Sequence, residues 1–370
     1  MRVTRLVVRG FRSYAAADVR LGPALTVVSG RNGAGKTNLL EALYFACTGR
    51  SCRTANEREV LRFGADVARL ELHAHDGRDG HEVSVGFRPG EKLMRVDGAS
   101  VERLTESAGR PLVSVFLPDR LELVTGAPAL RRAHLDQLVA ALWPARAATR
   151  RAYTAALAQR NALLAGIRAG RAGRGSLAAW DAELARHGVV LMADRATAVA
   201  AVSGRFAAHA EALGLEDGPT IGYRPRSSAP DAAALAAELA ERTEGDLERG
   251  FTGHGPHRDD LAFRRAGRDL RAYGSRGQQR LGLLALLLAE REALAETRGA
   301  PPLLLLDDVM SELDGDRRAR LVAVLRAGGQ CVVTTTDLAH VPGAADEDVV
   351  RLEVADGEVR ETRVPRAVAA

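Results

Sequence analysis

Apolar positions along the chain follow two periods, and the switch between them marks out its parts. Residues 3–8 and 24–29 are short runs rich in β-branched side chains, and each predicts a strand. The second run enters a glycine turn, after which helical spacing sets in over residues 36–47. Segments 69–74, 82–87 and 92–96 alternate or run β-branched between the turns Asp76-Gly77 and Asp97-Gly98, which predicts an antiparallel meander. From residue 128 to 215 the chain becomes alanine-rich and helical. There Leu135, Leu138, Val139 and Leu142 share one face, and a glycine-rich break at 166–175 separates two arms. These periodic stretches last a few turns each, too short for arms built on many sustained heptads.

Pro219, Pro225 and Pro230 mark a return to irregular or strand structure, followed by a helix over 231–242. Beyond Leu261 come an apolar helix at 281–297, a buried strand at 303–306, a helix at 317–326 and a strand at 331–335. That order is the one found in layered α/β sheets. The expected organisation is an α/β head assembled from residues 1–127 and 246–370, with a mainly helical lobe inserted at 128–245. No segment repeats at a fixed period.

Composition narrows the setting. A chain of 370 residues exceeds what one compact core usually serves. It contains no run of the about 18 to 20 apolar residues needed to span a membrane, and Arg2, Arg5 and Arg9 interrupt the N-terminus where a signal peptide needs an apolar run. A cytoplasmic protein without a membrane partner is expected. Cys47, Cys52 and Cys331 are scattered with no C-x-x-C spacing, arguing against a disulfide framework or a zinc site. The net charge of +5 favours a polyanionic partner, because a basic surface gains affinity by releasing counterions from nucleic acid. Only Lys36 and Lys92 are lysine, so nearly all basic residues are arginine. A lysine kept at position 36 is therefore informative, since phosphate coordination there wants a compact ammonium rather than a wide planar fork.

Gly30-Arg31-Asn32-Gly33-Ala34-Gly35-Lys36-Thr37 satisfies G-x-x-x-x-G-K-[ST] between a predicted strand and a predicted helix. Backbone N–H groups and the helix dipole then converge on phosphate, with Lys36 on the β- and γ-phosphates of ATP and Thr37 on Mg2+. Leu303-Leu304-Leu305-Leu306-Asp307-Asp308 supplies the usual companion, an apolar strand beside the P-loop ending in carboxylates. Asp307 is placed on the metal, and Asp308 is placed to orient or deprotonate the attacking water. Ser275-Arg276-Gly277-Gln278-Gln279 precedes the apolar helix and offers a second anion-seeking helix start. One P-loop already serves one nucleotide, so Ser275 and Gln278 are assigned to the nucleotide of a second copy.

Further segments carry a family resemblance: Gly10-Phe11-Arg12-Ser13-Tyr14, Asn38-Leu39-Leu40-Glu41-Ala42, Thr48-Gly49-Arg50-Ser51-Cys52-Arg53-Thr54 and Phe116-Leu117-Pro118-Asp119. Gly126-Ala127-Pro128, Arg131-Arg132, Leu135-Asp136, Gly255-Pro256-His257-Arg258-Asp259-Asp260-Leu261 and the stretch from Asp307 through Asp314 continue it. Over nearly its whole length the chain resembles the RecF family, ABC-type ATPases related to the SMC group. The resemblance implies a two-lobed ABC-type head that dimerises on ATP, binds single- and double-stranded DNA and their junctions, and hydrolyses ATP slowly to let go. It also implies cooperation with RecO and RecR in placing RecA at gaps, and a loop Ser311-Glu312-Leu313-Asp314 that meets the partner's nucleotide. Where transporter ATPases carry a switch histidine, this chain reads Thr335-Thr336-Asp337, and no glutamine lies between the P-loop and Arg131.

Other features admit simpler readings. His73 and His75 share a strand face but lack a third ligand, so a surface strand explains them. His257 could stand beside nucleotide or at a dimer seam. The pairs Arg131-Arg132 and Arg150-Arg151 suit DNA phosphates and solvated helix faces equally. Two other functions compete, an energising subunit of a membrane transporter and an SMC-type DNA-bridging protein. The first calls for a plain Leu-Ser-Gly-Gly-Gln signature and the second for long arms.

Overall fold

The computed structural model describes residues 1–107 and 109–362; the last residues of the expected head, 363–370, lie outside them. The chain forms two compact units, one from Met1–Arg120 with Leu294–Ala370 and the other from Leu121–Ala293. The second unit is thus wider than the helical lobe outlined at 128–245, and takes in the Gly255 turn and most of the apolar helix, as far as Ala293.

Two six-stranded sheets build the first unit. One runs in the order Glu358–Thr362, Val350–Ala355, Leu25–Ser29, Cys331–Thr335, Leu303–Leu306, Val113–Phe116, and all its pairings are parallel except the terminal Val350–Ala355 with Glu358–Thr362. Its central strands are apolar at nearly every position because both faces are covered; all four leucines of Leu303–Leu306 are buried. The other sheet, Tyr14–Arg20, Arg2–Phe11, Ala68–His75, Gly80–Arg88, Glu91–Val96, Ala99–Ser100, is antiparallel throughout. Here burial alternates, with Leu70, Leu72 and Ala74 inside and Arg69, Glu71 and His75 outside, as expected for a sheet with one wet face. His73 lies on that outer face, and no cluster of three metal-binding side chains occurs among the described residues.

Helix Lys36–Thr48 lies against strands of both sheets and buries Leu39, Leu40, Leu43 and Phe45 completely. It ends at Gly49, whose φ of 69° lets the amide return to the Phe45 carbonyl.

The second unit is mainly helical, with Pro128–Leu142, Ala147–Arg168, Leu177–Ala212, Ala232–Glu241 and Thr243–Arg249 around a three-stranded sheet. Leu177–Ala212 has 36 residues, about 54 Å at 1.5 Å per residue, which corrects the expectation of short helical stretches. Alanine keeps the backbone helical where the apolar stripe lapses, so periodicity understates helix length. At Gly188 inside this helix the neighbouring helix packs closely: a Cβ there would stand 2.8 Å from Leu235 Cδ2 and would push that side chain aside.

Buried arginines pin this unit together. Arg160, fully buried, donates to Asp181 at 2.6 Å, Asp246 at 2.7 Å and Thr252 at 2.8 Å. Arg131, read above as a possible phosphate ligand, is 2% exposed and grips Asp260 with Nε and Nη2 at 2.6 and 3.0 Å. That pairing makes Arg131 a structural residue, because a buried guanidinium without its carboxylate would cost several kcal/mol. Arg132 donates to the Asp259 carbonyl, and Arg150 lies 3.2 Å from Asp136.

Candidate functional site

The glycines of the P-loop are fixed by what surrounds them. Gly35 has φ 115°, and a Cβ on it would meet Ser13 Oγ at 2.8 Å, while Tyr14 donates its hydroxyl to the Gly35 carbonyl at 2.8 Å. At Gly30 a Cβ would stand 2.4 Å from the Val354 carbonyl oxygen. The loop is therefore wedged between Ser13-Tyr14 and the strand Val350–Ala355, and opens into helix Lys36–Thr48 with its first amides free of side-chain caps.

Lys36 is 7% exposed and its Nζ donates to the carbonyls of Gly30 at 2.7 Å and Arg31 at 3.0 Å. Burial pulls its pKa below the ordinary lysine value, while the carboxylates of Asp308 and Asp307 act in the opposite direction. Thr37 donates its hydroxyl to Asp307 Oδ2 at 2.8 Å, and Thr334 donates to Asp307 Oδ1 at 2.6 Å. Cys331–Thr335 lies between the leucine strand and the strand leading into the P-loop, an order on which the sequence was silent. Asp307 still reaches Thr37, since it stands at the carboxyl end of its strand where the P-loop helix begins. Asp308 adopts φ 45°, a left-handed conformation uncommon outside glycine, and its amide donates to Thr334 Oγ1 at 2.9 Å.

Asn32, Gly33, Gly35, Lys36, Thr37, Asp307 and Asp308 line one cavity of about 320 Å3. Its cations, amides and carboxylates match a phosphate chain with its metal. The Thr37 hydroxyl and the Asp307 carboxylate converge as hard oxygen donors suited to Mg2+. Arg31 and Ala34 complete the loop without lining the cavity through their side chains in this conformation.

Sequence reasoning gave no individual role to Asn38, Arg53 or Pro118, which line the same cavity. Arg53 Nη1 donates to Asn38 Oδ1 at 3.0 Å and to Glu41 Oε2 at 3.2 Å. Glu41, fully buried, also accepts from Arg12 at 2.9 and 2.7 Å and from Ser51 at 2.5 Å. This network ties the segment after Gly49 back onto the P-loop helix and sets a guanidinium at the phosphate cavity. A local signal existed in the run of basic and hydroxyl residues Arg50-Ser51-Cys52-Arg53, but only the fold shows its target.

In the second unit Ser275 and Gln278 form a reciprocal capping box: Gln278 N donates to Ser275 Oγ at 3.3 Å, and Ser275 N donates to Gln278 Oε1 at 2.9 Å. Both residues thus cap helix Arg276–Arg298, and Ser275 is exposed. Ser311 donates to the Asp308 carbonyl at 3.0 Å, and Asp314 caps helix Gly315–Ala327 through the Arg317 amide. Asp337 caps a short turn through the Ala339 amide. His257 lies between the Tyr153 hydroxyl, 2.8 Å from Nδ1, and the Thr252 carbonyl, 2.9 Å from Nε2. Burial drops its pKa to about 4, so a neutral ring holds the Gly255 turn.

This architecture and this cavity define an ABC-type P-loop ATPase head. The family model described as the RecF/RecN/SMC N terminal domain matches residues 2–360. The chain is 39% identical over 371 residues to the DNA replication and repair protein RecF of Myxococcus xanthus strain DK1622, covering 97% of both chains. It is 37% identical over 350 residues to that of Symbiobacterium thermophilum, covering 91% of this chain and 92% of the relative. A solved structure described as the recombination mediator protein RecF with ATPrS in the RecFOR pathway superposes with a TM-score of 0.85, 27% identity and 97% coverage of each chain. An Smc head bound to the C-winged helix domain of ScpA shares the fold alone, with TM-score 0.58 and 16% identity over the whole of both chains. The chain belongs to the RecF family of DNA replication and repair proteins.

Proposed function

We propose that the chain is an ATP-switched DNA-binding clamp of recombinational repair and replication restart, a weak DNA-dependent ATPase that closes as a homodimer on ATP and opens on hydrolysis. The observation that carries this reading is the convergence of Lys36, Thr37, Asp307 and Asp308 on one cavity. In it Lys36 leaves its loop carbonyls to neutralise the β- and γ-phosphates, and the P-loop amides orient them. Thr37 and Asp307 would hold Mg2+, which when bound offsets charge on the phosphate oxygens. Asp308 accepts the proton of the attacking water. Ser275 and Gln278 present their helix start to the nucleotide of a second copy, so that ATP joins the two chains. Association with RecO and RecR, and through them delivery of RecA to gaps and junctions, is supported by relatives described within the RecFOR pathway.

Asp308→Asn tests the hydrolytic assignment. It keeps Asp307 and Thr37 for the metal, so ATP and Mg2+ should still bind, while turnover falls by roughly 100-fold or more and the dimer outlives that of the parent. Phosphate release at the parental rate would remove Asp308 from this role.

A further inference from the structure

The second unit holds a concave basic site that the nucleotide chemistry does not use. A cavity of about 470 Å3 is lined by Arg226, Arg242, Arg249, Phe251, His254 and Arg258. That volume lies within the range of about 300 to 1,000 Å3 common for ligand pockets. Abundant arginine explains cationic side chains on the surface, but not four of them around one hollow beside an exposed aromatic ring.

Their partners differ. Arg249 Nη2 is 2.8 Å from Asp246, whose other oxygen already holds the buried Arg160. Arg242 donates to the Glu238 carbonyl at 2.8 Å and lies 3.7 Å from Glu241. His254 is 2.5 Å from Glu238 Oε2. Among the described residues Arg226 and Arg258 make no ion pair; Arg258 lies over the Phe251 ring at 5.3 Å, and Phe251 is 41% exposed. The carboxylates of the patch are thus largely committed, and two guanidiniums remain with their donors unused.

The scaffold beneath them is fixed. The Arg226 amide donates to the buried Asp259 at 2.7 Å, the Gly253 amide donates to Asp246 at 2.9 Å, and the Arg258 amide closes its turn on the Gly255 carbonyl at 2.9 Å. Uncompensated guanidiniums held at one place repel one another, and the repulsion is relieved when an anion with several oxygens sits among them. Such a hollow admits a nucleotide-sized group and not the rod of a duplex, and an aromatic ring beside the cations offers a base a surface to stack on.

We propose that this pocket takes the phosphodiester backbone of single-stranded DNA, with Arg226 and Arg258 on successive phosphates and Phe251 available to a base. The assignment rests on the DNA-binding reading above and places one strand on the second unit.

The test compares the parent with R226A/R258A and R226K/R258K as full-length chains, all with Mg2+ and a saturating non-hydrolysable ATP analogue, using the anisotropy of a labelled oligo-dT of about 20 nucleotides between about 50 and 200 mM salt. The alanine pair should lose tenfold or more in affinity, and its slope of log affinity against log salt should flatten by about 1.4, two contacts at about 0.7 each for a single strand. The lysine pair should keep the parental slope, which separates lost charge from a damaged fold. An alanine pair with parental affinity and slope would overturn the site, as would equal losses in both pairs without a change of slope. If a labelled oligo-glutamate peptide bound in an arginine-dependent way while oligo-dT did not, the pocket would belong to an acidic protein segment and the proposal would fall. A parent that binds no DNA of any kind would instead sink the DNA-binding reading itself.

Discussion

Lys36→Met is expected to abolish ATP binding, with affinity falling at least about 100-fold, the equivalent of two charge-assisted hydrogen bonds at about 1.5 kcal/mol each. The ammonium is the cation set directly into the loop, fixed there by the Gly30 and Arg31 carbonyls and faced by Asp307 and Asp308. Methionine keeps most of the side chain's bulk and leaves Gly30, Gly33 and Gly35 in place, so the loop should fold while the phosphates lose their counter-charge. Arg53 lines the same cavity but is engaged with Asn38 and Glu41, and its planar fork cannot stand in for the ammonium. Calorimetric titration with ATP and Mg2+ decides it. Near-parental affinity would dissolve the P-loop assignment.

Ser275→Arg should produce the opposite separation: ATP binds normally, but dimerisation and stable DNA association fail. Ser275 lies in the second unit, whereas the P-loop belongs to the first, and its hydroxyl accepts from the Gln278 amide, so nucleotide binding by the monomer is not expected to respond. What the arginine adds is a long cation where the helix start is proposed to meet the partner's phosphates. It also removes a helix cap, at about 1 kcal/mol, and Ser275→Ala removes that same cap without adding bulk. Sedimentation with ATP and Mg2+ should therefore show the alanine variant still dimerising and the arginine variant monomeric. Full dimerisation of Ser275→Arg would leave the capping box as its whole role.

The parts of this site that could be read in advance are those encoded by neighbouring residues. The P-loop and the Leu303 to Asp308 stretch announce themselves because a glycine turn between strand and helix, or four leucines before two acids, satisfies its chemistry within a few positions. Contacts made across the fold were less accessible. Arg53 returns to Asn38 and Glu41 only because Gly49 ends the helix and reverses the chain. That Cys331–Thr335 lies between the leucine strand and the P-loop strand could not be read in advance, since local pattern carries no strand order. Arg131 suited a DNA phosphate or a solvated helix face in the sequence, yet it is buried, because a guanidinium with its carboxylate in place can be taken into a core. The length of Leu177–Ala212 escaped periodicity for a related reason: its alanines are good helix formers that mark no face.

The central claim is that ATP binding, before hydrolysis, both joins two chains and creates the DNA-binding state. Sedimentation velocity with a non-hydrolysable ATP analogue, Mg2+ and a labelled gapped DNA, repeated across a salt series, measures both in one experiment. The account predicts a shift from monomer to dimer on adding the analogue, with DNA comigrating only with the dimer and falling away as salt rises. A chain that binds the analogue yet stays monomeric, or that binds DNA equally well without nucleotide, would contradict it.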